Sequence, residues 1–165
     1  MRIAIICLMV TFGIVSGCGP GANDHEKVGP PPAGTFVDGG ANTVSLKDFN
    51  GRYVWIDYAA EWCAACTPQA MAIKSVAASA PAKIAFVTIM VTERGGYGHP
   101  STAITAARWA SHVGLDPAHV WAGKVPHRYL PRNLLYSPQG DVLFDQVGEL
   151  SASQVKAELA RHVRY

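Results

Sequence analysis

Val54-Trp55-Ile56-Asp57-Tyr58-Ala59-Ala60-Glu61-Trp62-Cys63-Ala64-Ala65-Cys66 is the stretch that decides the reading of this chain. Val54 to Tyr58 is a β-branched and aromatic run, the composition of a strand. Ala64, Ala65, Gln69, Ala70, Met71 and Ala72 are helix formers. The pattern predicts a strand leading into a helix over Ala64 to Ala78, with Cys-x-x-Cys in its first turn. Cysteines at that spacing can close a disulfide within one turn. The free N–H groups of a helix N-terminus favour negative charge, so Cys63 ionises more readily than a free thiol. A thiolate attacks a disulfide, and a second thiol, here Cys66, resolves the mixed intermediate. A structural zinc site would need a second Cys or His pair at short spacing. There is no second Cys-x-x-Cys, and none of the six histidines forms an H-x₃₋₅-H pair.

Met1-Arg2 is followed by an uncharged stretch from Ile3 to Val15. A bilayer-spanning helix needs about 20 apolar residues, so this shorter run reads as the core of a signal peptide over residues 1–17. It ends in Val15-Ser16-Gly17-Cys18, which resembles a bacterial lipobox, with Cys18 as the lipidated residue of the mature chain. The alternative is an ordinary secretory signal with an incidental cysteine. Cys7 leaves with the signal, so a lipidated Cys18 leaves Cys63 and Cys66 as the only free thiols, in an oxidising compartment. Of 14 basic residues only Arg2 lies in the signal, leaving 13 against 12 acidic ones and a net charge of +1. That balance argues against nucleic-acid binding.

Residues 18–34 are Gly/Pro-rich and end in Pro30-Pro31-Pro32, a tether of partly extended character. Residues 35–165 then form one domain. Asn42 to Leu46 reads as a short edge strand, with a turn at Lys47 to Phe49. Ile84 to Thr92 is a near-continuous apolar run suited to a buried parallel strand. Ser101 to Val113 reads as a helix ended by Gly114. Leu134 to Tyr136 and Val142 to Val147 flank the turn Ser137-Pro138-Gln139-Gly140. From Ser151 a last helix repeats Val155, Leu159 and Val163 every four residues. This order predicts an α/β domain with a central mixed β-sheet flanked by helices on both faces.

With Ile56 to Cys66, the stretch Pro131-Arg132-Asn133-Leu134-Leu135-Tyr136-Ser137-Pro138-Gln139-Gly140 gives the chain a resemblance to the thioredoxin fold, specifically to membrane-tethered thioredoxin-like proteins of the TlpA/ResA type. The resemblance implies a cis-proline at Pro131 and a substrate-contacting backbone at Leu130. A cis X-Pro bond would give that backbone a fixed orientation, and an extended substrate could add to it as a strand. A trans proline that merely starts the strand is the alternative. Asp57, six residues before Cys63, matches the buried acid of thioredoxin, and a desolvated carboxyl there would take the proton of Cys66. Alternation puts Asp57 on one face with Trp55 and Ala59 and does not say which face is buried. Trp62 either shields Cys63 and meets substrate or is simple packing.

Three residues depart from the family. Ala65 stands where members often carry proline, Gln69 where tethered relatives often have glutamate, and Pro68 falls early in the helix. The Ala-Ala dipeptide is uncharged and adds nothing to thiolate stability. Arg94 to Pro100 is a glycine-rich loop without the ending of a phosphate cradle; it reads as a connection between two elements, with a gate over the active site as the alternative. The expectation is a monomeric, lipid-anchored thiol–disulfide oxidoreductase of the bacterial cell envelope, its domain facing the periplasm or extracytoplasmic space. It would reduce disulfides of exported proteins, be recharged by a membrane or extracytoplasmic electron-donor protein, and need no cofactor beyond the Cys63–Cys66 disulfide and no metal. A protein-disulfide oxidase or isomerase is the alternative within the same chemistry. A copper-binding chaperone using both cysteines and a histidine such as His127 is the alternative outside it.

Overall fold

The structure, a computed structural model, describes residues 31–91, 100–125 and 129–163. The signal and lipid-attachment readings, with Cys18, lie outside these residues, as do His127 and most of the glycine-rich loop.

The central strand forms where the β-branched run predicts it. β3 (Tyr53–Ala59) pairs in parallel with β4 (Ile84–Met90) and antiparallel with β6 (Arg132–Tyr136). β6 turns at Gly140, whose positive φ of 90° suits glycine, into the antiparallel β7 (Val142–Val147). On the far side of β4 lie β5 (Val120–Ala122), β1 (Phe36–Asp38) and β2 (Thr43–Val44). Among the described residues the sheet thus runs β2-β1-β5-β4-β3-β6-β7. β1 and β5 are additions to the sequence expectation. The β1–β2 turn is closed by Asp38, whose Oδ1 accepts from the Gly40 and Asn42 N–H groups, both at 2.8 Å.

Three helices cover the two faces. α1 (Cys66–Ala77) and α3 (Ala152–His162) pack Ile73, Val76, Val155 and Leu159 against Trp55, Ile84 and Leu135. α2 (Ala103–Val113) packs Ala106, Trp109, Ala110 and Val113 in the cluster that holds Ile56, Val87 and Ile89, side chains of the opposite face. Thr102 and Ser151 each cap their helix in a capping box, and Gly114 ends α2 in the left-handed conformation at φ 67°. α1 differs from the expectation at its start. It begins at Cys66, two residues later than the helix formers suggest, because Ala64 and Ala65 are spent in the turn between the cysteines, where the Cys66 N–H donates to the Cys63 carbonyl at 3.0 Å.

α3 is held by a narrow apolar stripe, and Leu159 is its buried centre at 4% exposure. Leu159→Ala is expected to lower unfolding stability by about 3 kcal/mol, transfer and cavity terms together. Urea unfolding followed by tryptophan fluorescence would read this as a lower midpoint at unchanged slope.

Candidate active site

β3 carries the chain to the rim of the sheet, and a short loop then lifts Glu61 and Trp62 to the surface. Cys63 and Cys66 are joined in a disulfide, their Cα atoms 5.3 Å apart. The two sulfur-bearing residues differ in access: Cys66 is fully buried at 0% exposure and Cys63 reaches the surface edge at 8%. Cys63 is the more accessible of the two. Trp62 beside it is 41% exposed, which is not the burial of a packing residue.

α1 starts at Cys66 with no side chain capping it and no acidic residue in its first turn. Nothing on the helix itself competes with a Cys63 thiolate for the positive end of the dipole. Pro68 is the third helical residue, where the N–H it lacks would have no partner within the helix, so it is tolerated there. Glu61 is tied to Arg108 of α2 by a two-pronged ion pair, 2.6 Å from Nε and 2.7 Å from the second guanidinium nitrogen. An exposed pair of this kind contributes little stability. It does fix the loop before Trp62 relative to α2.

Asp57 lies at 0% exposure in the middle of β3, and both faces of that strand are covered. The outward-facing alternative is therefore excluded. Burial pushes its carboxyl up to about 7. The neighbouring Thr88, its register partner on β4, offsets part of that rise without forming a well-aligned hydrogen bond, since neither carboxyl oxygen has a partner. A carboxyl poised near neutral pH can accept or release a proton where a solvated one stays ionised.

The Leu130–Pro131 peptide bond is cis. Leu130 is partly buried and packs on the same large cluster of side chains that contains Cys63 and Cys66. Arg132, next in the chain, is buried and grips Asp145 of β7 through two bonds at 2.9 and 3.0 Å. On the opposite face Asn133 stands directly across from Asp57 and bonds to Trp55 and to Gln69.

Solved structures share this fold. A DsbF homologue from Corynebacterium diphtheriae matches with a TM-score of 0.64 at 18% identity, covering 87% of this chain and 96% of that one. The exposed lipoprotein thioredoxin of Streptococcus pneumoniae matches at 0.60 and 18%, covering 77% and 97%. A secreted Mycobacterium tuberculosis disulfide oxidoreductase homologous to DsbE of Escherichia coli matches at 0.58 and 15%, covering 77% and 94%. The chain has a thioredoxin fold. No protein-family model matches it, and no curated protein does. Within the thioredoxin fold Cys63 and Cys66 follow the end of β3 as a disulfide, Asp57 is buried within that strand, Trp62 is at the surface, and Leu130-Pro131 leads into the neighbouring β6.

The sequence reading did not assign Glu61, Arg108, Thr88 or Asn133, and it noted Gln69 only as a departure. Asn133 had one readable signal, an uncharged polar residue directly before the apolar run Leu134-Leu135-Tyr136. The Glu61–Arg108 pair had none, since 47 residues separate its members.

Asp57 makes stability depend on pH in a definite direction. Its folded-state value of about 7 exceeds the ordinary 3.8, so the folded protein holds the proton more tightly. Its contribution is complete below about pH 4 and is lost as pH rises through about 7. At about 1.4 kcal/mol per pH unit the whole window amounts to roughly 4 kcal/mol. Urea unfolding of the oxidised protein should show this decline, and Asp57→Asn should flatten it. A variant as steep as the wild type would assign the slope elsewhere.

Proposed function

We propose that this protein is a lipid-anchored, extracytoplasmic thiol–disulfide oxidoreductase that reduces disulfides of exported partner proteins. The observation that carries the reading is a disulfide-bonded cysteine pair at the start of α1 whose first member, Cys63, keeps 8% exposure while Cys66 keeps none. In the reduced protein the Cys63 thiolate attacks a partner disulfide. One new S–S bond forms, and one partner sulfur leaves as a thiolate that takes a proton from water. Asp57, as a carboxylate, accepts the proton of Cys66. The Cys66 thiolate then attacks the Cys63 sulfur, re-forming the Cys63–Cys66 disulfide and releasing the second partner thiolate. Two electrons have passed from the dithiol to the partner. A donor protein of the membrane or extracytoplasmic space returns them, and no dissociable cofactor is required.

The cis-proline segment supplies the docking geometry in this reading. The backbone of Leu130 would pair with an extended partner segment added as a strand, and the exposed Trp62 would meet the same partner. Export and anchoring rest on the signal-like N-terminus and the Ser16-Gly17-Cys18 junction. Among the described residues no helix is long and apolar enough to cross a membrane. Lipidation of Cys18 predicts that the wild type sediments with membranes and labels with radioactive palmitate, and that Cys18→Ala does neither. A variant that stays labelled would place the lipid elsewhere.

For the chemistry, the wild type is expected to catalyse reduction of insulin by dithiothreitol. Cys63→Ser should lower the rate roughly a hundredfold or more, and Cys66→Ser should accumulate a mixed disulfide with substrate. A reduction potential below about −250 mV supports a reductase, and one above about −180 mV an oxidase or isomerase. Retention of copper through purification, with no reversible dithiol titration, would replace the oxidoreductase reading by the metal-carrier one.

A further inference from the structure

Two fully buried amide side chains, Gln69 and Asn133, stand beneath the cysteine turn. Both are at 0% exposure, a setting in which an amide persists only if its bonds are made. The Asn133 Oδ1 accepts from the Trp55 indole Nε1 at 3.1 Å and from the Gln69 Nε2 at 3.2 Å. The Gln69 Oε1 accepts from the backbone N–H of Leu150. The Asn133 Nδ2 points to the carbonyl of Gly148 at 3.5 Å, and the N–H of Gly148 donates to the carbonyl of Pro131 at 2.8 Å. Gly148 sits at φ 110°, a conformation open to glycine.

These bonds join four separate pieces of chain. Gln69 is one turn past Cys66 on α1, Trp55 is two residues before Asp57 on β3, Asn133 is two residues after the cis-proline on β6, and Gly148 and Leu150 belong to the β7–α3 connection. We propose that Gln69 and Asn133 are positioning residues, an amide clamp that sets the register of the Pro131 segment against the helix carrying Cys66. The assignment rests on the oxidoreductase reading above. Apolar side chains of the same volume would fill the space, but only directional bonds to Oδ1, Oε1 and the Pro131–Gly148 pair fix where one segment lies relative to the other. The clamp is also neutral. Its members carry no charge to gain or lose as the dithiol cycles, so the same geometry serves the oxidised and the reduced protein.

A large substrate that docks as a strand needs this register, whereas a small disulfide needs only an accessible Cys63. The test compares kcat/KM for insulin with kcat/KM for glutathione disulfide in the full chain and in Gln69→Met and Asn133→Leu. Gln69→Met keeps the side-chain length and removes only the amide, so it carries the test should Asn133→Leu not fold. The expected result is that the ratio of the two constants falls by about fivefold or more, chiefly through KM for insulin. The double variant should fall by less than the product of the two single effects, since the two amides share one of their bonds. A merely structural role lowers both constants together and leaves the ratio, so a ratio within about fivefold of the wild type in every folded variant overturns the clamp. A wild type that reduces neither substrate overturns the oxidoreductase reading and the clamp with it.

Discussion

Strand β3 is bonded on both edges and covered on both faces, and the site depends on that enclosure. Pairing with β4 and β6 fixes its backbone, while α1 and α3 on one side and α2 on the other remove water from its side chains. In such a strand a carboxyl has no solvent to stabilise its charge, which is why Asp57 holds a proton up to about 7. The same rigidity delivers the chain to Cys63 at a fixed place on the rim. A half-exposed strand would give an ordinary aspartate and a looser cysteine turn.

Neutral groups surround that carboxyl. Across from it stand Thr88 on one strand and Asn133 on the other, and Gln69 bonds to Asn133. A second carboxyl at Gln69 would lie one hydrogen bond from the residue facing Asp57, and two acids sharing such a site push one another's protonation apart. With an amide there, the buried Asp57 carboxyl has no second acid at position 69. The departure at position 69 thus has a physical consequence, namely that the residue facing Asp57 is bonded to a neutral amide.

Much of this architecture was legible in the sequence. β3, β4, β7, α2 and α3 are long or strongly periodic, and capping residues at Thr102 and Ser151 mark where two helices begin. β1 and β5 were not legible, because three-residue strands such as Val120–Ala122 carry no period of their own and owe their burial to neighbours far along the chain. The face of Asp57 was undecidable by alternation for a simple reason: both faces of β3 are buried, so hydrophobicity does not alternate. The helix boundary at Cys66 was missed because Ala64 and Ala65 have helical propensity, but closure of the cysteine turn uses their backbone first. The Gln69–Asn133 contact spans 64 residues and has no local signature.

The distribution of rigidity around the cysteines follows from these bonds. Arg132 and Asn133, the two residues after the cis-proline, point to opposite faces of β6, and each is held by paired bonds: Arg132 to Asp145, Asn133 to Trp55 and Gln69. The strand cannot roll about its axis without breaking one set or the other. Trp62, next to Cys63, and Tyr129, two residues before the cis-proline, are by contrast 41% and 57% exposed. Paired bonds from within the core thus hold the strand that follows the cis-proline, while the aromatic residues next to Cys63 and Leu130 stand in solvent.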